Sequence, residues 1–193
     1  MLDYDLEAQG YDASRGGAAR AVAAAAAVRR LLGGASGLLV DLAGGTGIVA
    51  AELASSGYAV VVADRSRGML KIAEARLPGR VLQSDAASMP MCDGSAGAVT
   101  SIWLLHLLEQ GTARQVVAEA ARLLRPGGRY LTTVDKAAAQ GSRHPEATDR
   151  RDMVERMCRM ALLEPVGETT FTGHGQGRGA EPDPEYTLLA FGR

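Results

Sequence analysis

A doubly wound α/β fold, a mostly parallel sheet with helices on both faces, is what the order of apolar runs predicts. Three observations carry it. From Leu38 onward, short β-branched runs alternate with helical stretches. The turn Gly44-Gly45-Thr46-Gly47 hands the first run to the helix behind it. The first three runs also each deliver an acid at or just past their ends, in order Asp41, Asp64 and Asp85.

The elements follow in chain order. Ala18 to Leu32 reads as a helix by propensity, with its alanines packing closely on a sheet, Arg20, Arg29 and Arg30 keeping it soluble and Gly33-Gly34 stopping it. Strands and helices then alternate: strand Leu38 to Leu42, helix Thr46 to Ser56, strand Ala59 to Ala63, helix Ser66 to Leu77, strand Val81 to Gln83. Strand Ala98 to Ile102, helix Thr112 to Leu124 and strand Arg129 to Val134 come next, then a helix over Thr148 to Leu163. Two last strands, Glu168 to Thr172 and Tyr186 to Phe191, flank the glycine-rich Gly173 to Gly179, read as a flexible connector, with gating of the acceptor as the alternative. Met153, Met157 and Met160 at helical spacing read as core packing.

The first turn carries the chemistry. Gly45-Thr46-Gly47-Ile48-Val49-Ala50 fits the dinucleotide fingerprint G-x-G-x-x-G/A, whose glycines permit a tight turn and close approach of a ligand to the backbone. Alone, that match is unspecific. Asp41 narrows it, because a carboxylate at the strand tip repels a pyrophosphate and suits a cationic group. Asp64 follows Asp41 by 23 residues, near the ~20-residue spacing at which the neighbouring strand brings a ribose-binding acid to the same crevice. A nucleotide that also carries an ammonium and a sulfonium is S-adenosylmethionine.

With these motifs in order, the chain resembles the class I S-adenosylmethionine-dependent methyltransferases, in particular their small-molecule, ubiquinone-biosynthesis-type branch, over nearly its whole length. The family's acid-x-Gly-x-Gly-x-Gly is matched by Asp41, Ala43, Gly45 and Gly47, with Ala43 in place of the first glycine. The resemblance implies a seven-stranded, mostly parallel Rossmann-like sheet with an antiparallel last strand. It implies that Asp64 bonds the ribose hydroxyls, that Asp85 accepts from the adenine amine, and that the Ala86 amide faces the ring. Arg65, Ser66 and Met69-Leu70 resemble the family segment after the second strand, and Leu124 to Tyr130 its turn into the fifth. Ser101 and Trp103, past the fourth strand, fall where the family borders the methyl-donor sulfur. Tyr11-Asp12-Ala13-Ser14-Arg15 resembles an arm that folds over the cofactor, with Tyr11 near the methyl group and Arg15 on the methionine carboxylate.

Composition sets the limits. A chain of 193 residues, 47% hydrophobic and 22% charged, suits one domain, residues 1–193. It divides into an arm or lid (1–17), an N-terminal helix (18–34), a cofactor-binding core (38–135) and an acceptor-side part (136–193). A net charge of −1 argues against a nucleic-acid partner. No asparagine is present, so the asparagine form of the Pro-Pro-aromatic motif of amino-directed DNA and glutamine methyltransferases is missing, as is its aspartate form. Cys92 and Cys158 lie apart without ligand-spaced neighbours, so no metal is expected, and two free thiols suit the cytoplasm. No run is long enough for a membrane span, and no export signal is visible.

The expected reaction is methyl transfer to an O or N nucleophile of a small-molecule acceptor, in specialised metabolism, by in-line displacement. His106 is the candidate general base, against a purely structural role holding its loop, with His144 and His174 behind it. Other readings are methylation of a short peptide terminus, a nicotinamide-dependent reductase and a catalytically silent cofactor-binding partner. Oligomeric state is not legible.

Overall fold

A computed structural model describes residues 3–142, 144–173 and 183–193. Helix α1 (Tyr4–Tyr11) is capped by Asp3, whose carboxylate accepts from the Asp5 and Leu6 N–H groups. A 3-10 turn (Ala13–Arg15) leads into α2 (Gly17–Leu32). There follow β1 (Leu38–Leu42), α3 (Ile48–Ser55), β2 (Ala59–Asp64), α4 (Arg67–Arg76), β3 (Val81–Gln83) and β4 (Ala96–Ser101). A second 3-10 turn (Leu105–Leu107) precedes α5 (Gln110–Leu123), β5 (Leu124–Val134), α6 (Lys136–Ala139), α7 (Arg151–Met160), β6 (Glu164–Thr172) and β7 (Glu185–Gly192).

The seven strands form one sheet in the order β3-β2-β1-β4-β5-β7-β6. β1 to β5 run parallel, and β7 lies antiparallel between β5 and β6. This is the expected seven-stranded, mostly parallel sheet with an antiparallel last strand. Strand order reverses between β1 and β4, which opens a crevice beyond their C-terminal ends, where α/β sheets bind ligands.

Helices cover both faces. α5 and α7 bury Val116, Val117, Ala120, Val154 and Met157 on one side, while α2, α3 and α4 bury Ala24, Val28, Leu53 and Ala73 on the other. The alanine-rich stretch works as expected: Ala21, Ala24, Ala25 and Ala27 are all buried, and their short side chains let α2 lie close to α3 and the sheet.

Several boundaries move for identifiable reasons. The helix expected from Thr148 begins only at Arg151, because the Thr148 hydroxyl sits 2.5 and 2.9 Å from the Leu105 and Leu108 carbonyls and ties down the β4–α5 connection. β6 starts at Glu164 rather than Glu168; Pro165 is accommodated at the sheet edge with a register shift before Gly167. Of the methionine stripe only Met157 is buried, whereas Met160 is 71% exposed, which corrects its assignment to the core. Residues 174–179 of the glycine-rich connector lie outside the described residues. Cys92 is exposed; Cys158 is buried, and burial pushes its thiol pKa up. No helix among the described residues is long and apolar enough to cross a membrane.

Candidate active site

A cavity of about 890 Å³ opens over the ends of β1, β2 and β4. Its floor is the β1–α3 turn, where Ala43, Gly45 and Gly47 all take positive φ angles of 53°, 58° and 69°. For Ala43 the left-handed conformation costs about 1–2 kcal/mol, a strain that the family's glycine avoids. A Cβ on Gly44 would fall 2.5 Å from Asp41 Oδ2, so the buried acid itself requires a glycine three positions on. Gly47 is a correction: it is not on the cavity wall but lets α3 approach α4, where its Cβ would stand 3.2 Å from that of Ala73.

Asp41 faces this floor. It is 3% exposed, and its Oδ1 accepts a 2.6 Å bond from the Thr100 hydroxyl on β4. Burial raises its pKa to about 6, opposed by the Thr100 bond and reinforced by the Asp64 charge. No cationic side chain pairs with it among the described residues. Asp64 ends β2, beside β1 in parallel register, and accepts from the Gly45 N–H at 2.9 Å and the Ser66 N–H at 2.8 Å. Burial raises its pKa too, offset by those N–H groups. Asp85, past β3, is more open: it accepts from the Ala87 N–H at 2.9 Å and stands 3.8 Å from Arg65. Arg65, Met69 and Ala86 line the same end of the cavity.

The N-terminal arm closes over these groups. Asp5 accepts from the Ser66 hydroxyl at 2.5 Å and the Gly68 N–H at 2.8 Å, contacts that hold its pKa below the usual carboxylate value. Gly68 is needed there, since a Cβ would fall 2.7 Å from the Asp5 carbonyl. Farther on, Asp12 accepts from Thr46 and Arg76, both at 2.6 Å. Tyr11 and Arg15 line the cavity with the Arg15 guanidinium 4.0 Å from the Tyr11 ring centroid, and Tyr4 packs beside Tyr11 at 6.1 Å between centroids.

The opposite wall comes from the β4–α5 connection. Trp103 turns through a positive φ of 57°, held by its N–H on Thr133 Oγ1 at 2.7 Å. Its ring meets Phe171 and Tyr186 edge-on, with centroids 5.6 and 5.7 Å away. Leu104, Leu107, Leu108 and Val116 extend an apolar surface from it. Over the indole lies Arg20, 3.5 Å from guanidinium carbon to ring centroid, with one N–H donating to the Arg15 carbonyl at 3.0 Å. Arg20 thus faces the cavity, which corrects its assignment as a solubilising surface charge.

Other expected residues fall elsewhere. Ser101 is fully buried on Tyr130 and Thr132, 2.6 and 2.9 Å away, because strand alternation turns it from the cavity. His106 does not reach the cavity wall: its Nε2 accepts from Lys136 Nζ at 2.8 Å. Burial, then the Lys136 and Arg20 charges, depress its pKa to about 3. His144 is exposed beyond β5, and His174 lies outside the described residues. No cluster of three or more His, Cys, Asp or Glu among the described residues is arranged to hold a metal. The sequence reading did not single out Tyr4, Gly44, Thr46 or Gly68; of these Gly44 and Thr46 carried a signal, lying in the glycine turn.

Residues 40–132 match the family model described as a methyltransferase domain. The chain is 42% identical over 98 residues to the demethylmenaquinone methyltransferase of Clavibacter sepedonicus, a match covering 48% of this chain and 39% of that one. The chain spans about two fifths of the length of the curated relatives of this type that it matches. Among solved structures, a SAM-dependent methyltransferase of Thermotoga maritima superposes with a TM-score of 0.67 at 20% identity, covering 89% of this chain and 88% of that one. The geranyl diphosphate C-methyltransferase of Streptomyces coelicolor A3(2) gives 0.65 at 18% identity, covering 86% and 74%.

Proposed function

We propose, on the premise that this chain carries a class I methyltransferase domain, that it moves a methyl group from S-adenosylmethionine to a small molecule. One observation carries the reading: Asp41 and Asp64 stand at the tips of adjacent parallel strands on one cavity, and Asp41 is buried without a cation among the described residues. An ammonium fits that vacancy of charge, and a nucleoside ribose fits beside Asp64. The cavity, about 890 Å³, has room for a cofactor and an acceptor together.

When bound, the cofactor supplies a methyl group on a sulfonium; the carbon–sulfur bond breaks with its electron pair going to sulfur as the nucleophile–carbon bond forms. The chain's part is to bind and orient. Asp41 holds the ammonium, Asp64 the ribose hydroxyls and Asp85 the adenine amine, with Ala86 and Met69 against the ring, Arg65 at the rim and Arg15 on the methionine carboxylate. The arm of residues 1–17 excludes water and fixes the acceptor in line, while the 38–135 core holds the cofactor and residues 136–193 complete the acceptor side. Since His106 is held by Lys136, deprotonation falls to the acceptor's own acidity and solvent.

An O or N nucleophile in specialised metabolism is our reading of the acceptor. A second reading, menaquinone-type C-methylation, is favoured by the names of the relatives. Calorimetric titration with S-adenosylmethionine and with NADH tests the cofactor: tight binding of the first and none of the second is expected, and the reverse result returns the reductase reading. Mass spectrometry of an acceptor panel that includes phenols, amines and a demethylated quinol then separates the nucleophiles.

A further inference from the structure

Two guanidinium groups line the cavity without a carboxylate partner among the described residues. Arg15 lies on the Tyr11 ring, close to Tyr4, and is the guanidinium that the cofactor reading pairs with the methionine carboxylate. Arg20 lies on Trp103, at the far wall formed past β4. The cofactor has one carboxylate, and one guanidinium suffices for it. The second positive charge therefore faces the acceptor.

Its surroundings strengthen that conclusion. Lys136 opens α6, with its Nζ on the neutral His106 ring at 2.8 Å and its backbone N–H on the Asp149 carboxylate. Burial and then the Arg20 charge lower the Lys136 pKa to about 8, with Asp149 opposing them. Burial lowers the Arg20 pKa, and the Arg15 charge adds to this, against the pull of Tyr11, Tyr186 and Asp12. Arg20 is thus kept half-buried at a cavity wall that also carries Leu104, Leu107 and Leu108. Packing like charges together at a desolvated surface is costly unless an anion joins them.

We propose, resting on the methyltransferase reading above, that Arg20 binds a carboxylate on the methyl acceptor, whose apolar body lies on Trp103 and the three leucines. The acceptor is on this view an amphipathic organic acid. Guanidinium stacked on indole presents its N–H edge at fixed orientation, which suits a planar carboxylate better than a mobile ammonium does.

The test uses the full chain saturated with S-adenosylhomocysteine, titrated calorimetrically with 2-naphthoate and, separately, with 2-naphthamide. The acid is expected to bind at least about tenfold more tightly than the amide. Arg20→Gln should abolish that preference and Arg20→Lys should restore part of it, with affinity for S-adenosylhomocysteine kept within about threefold, a value that also reports a folded protein. Equal binding of acid and amide, or no binding of 2-naphthoate at millimolar concentration, overturns the proposal while leaving the cofactor reading intact. A large loss of S-adenosylhomocysteine affinity in Arg20→Gln, with binding of methylthioadenosine unchanged, overturns it differently: Arg20 then holds the cofactor's own carboxylate. Failure of the wild-type chain to bind S-adenosylhomocysteine at all would instead sink the cofactor reading and this inference with it.

Discussion

Asp12 and Arg76 meet at 2.6 Å, and the other Asp12 oxygen accepts from Thr46 at the same distance, so one carboxylate joins the N-terminal arm to the glycine turn and to the end of α4. With Asp5 on Ser66 and Gly68, the arm is fastened at both ends of the cofactor side of the cavity. Its tie points, Thr46, Ser66, Gly68 and Arg76, lie on the turn after β1 and on the segment from the end of β2 through α4. Arm, glycine turn and α4 are therefore held together by hydrogen bonds.

Removal of residues 1–15 should consequently affect rate more than folding. The core helices and strands keep their own packing, and partly exposed ion pairs contribute only about 0.2–1 kcal/mol each. Turnover should fall by about 10² as the acceptor loses its alignment. Parallel measurement of turnover and melting temperature checks this, with limited proteolysis between Tyr4 and Arg15 as a second readout. Full activity in the truncated chain, or cleavage equally fast with and without S-adenosylmethionine, would remove the lid from the account.

Asp64 should matter through its remaining acceptor positions. Each of its oxygens already takes one backbone N–H, which fixes the carboxylate for two ribose hydroxyls. Asp64→Ala should weaken S-adenosylhomocysteine by ~1.5–3 kcal/mol per lost charge-assisted bond. Calorimetry gives the number, and unchanged affinity in a folded variant would exclude a ribose contact.

The glycine turn and the acids around it were legible because their constraints act on the backbone. A positive φ at Gly45, an acid at or near the ends of β1, β2 and β3 and the spacing between strands all leave a mark on residue type. The acceptor half depended on side-chain direction, which sequence pattern does not encode. Ser101 and Trp103 are two residues apart, yet the first is sealed against Tyr130 and Thr132 while the second turns to the cavity through its unusual φ of 57°. Arg20 likewise differs from Arg29 and Arg30 only in where α2 happens to point it. His106 looked like a base until Lys136, thirty positions later, arrived on its Nε2.

The Asp41 carboxyl sets a pH window for binding. Its folded-state pKa is raised to about 6, so its contribution to stability of the free protein is full below the ordinary value of 3.8 and is lost as pH rises through about 6. The ammonium of the cofactor needs the opposite form. Affinity for S-adenosylhomocysteine should therefore increase as pH rises from 5 toward 7 and level off once Asp41 is ionised, with uptake of the ligand accompanied by proton release near the acid end. Asp41→Asn should bind more weakly and lose that limb. Titrations across the range in two buffers of different ionisation enthalpy measure both quantities, and a flat profile in the wild type would show that Asp41 does not meet the ammonium.

The behaviour of His106 discriminates between a base and a structural group. Its ring is pushed down to about 3 and receives the Lys136 proton on Nε2, so near neutrality it is uncharged and its lone pair is engaged. A lowered folded-state pKa stabilises the fold above the ordinary value of 6.5 and withdraws that contribution as pH falls toward about 3. His106→Gln keeps an acceptor for Lys136 but cannot titrate. The variant should hold its maximal rate within about tenfold, keep the same pH–rate profile near neutrality and become less sensitive to mild acid in a urea unfolding series, since the unfolded chain no longer gains a proton there. A general base predicts the contrary pattern, a rate loss of ~10² or more and the disappearance of a limb near neutrality. Lys136→Met sharpens the comparison: freeing Nε2 while removing the neighbouring charge should raise the His106 pKa, visible in its imidazole proton resonances, and if the rate then rises with it, His106 has become the base that Lys136 prevents it from being.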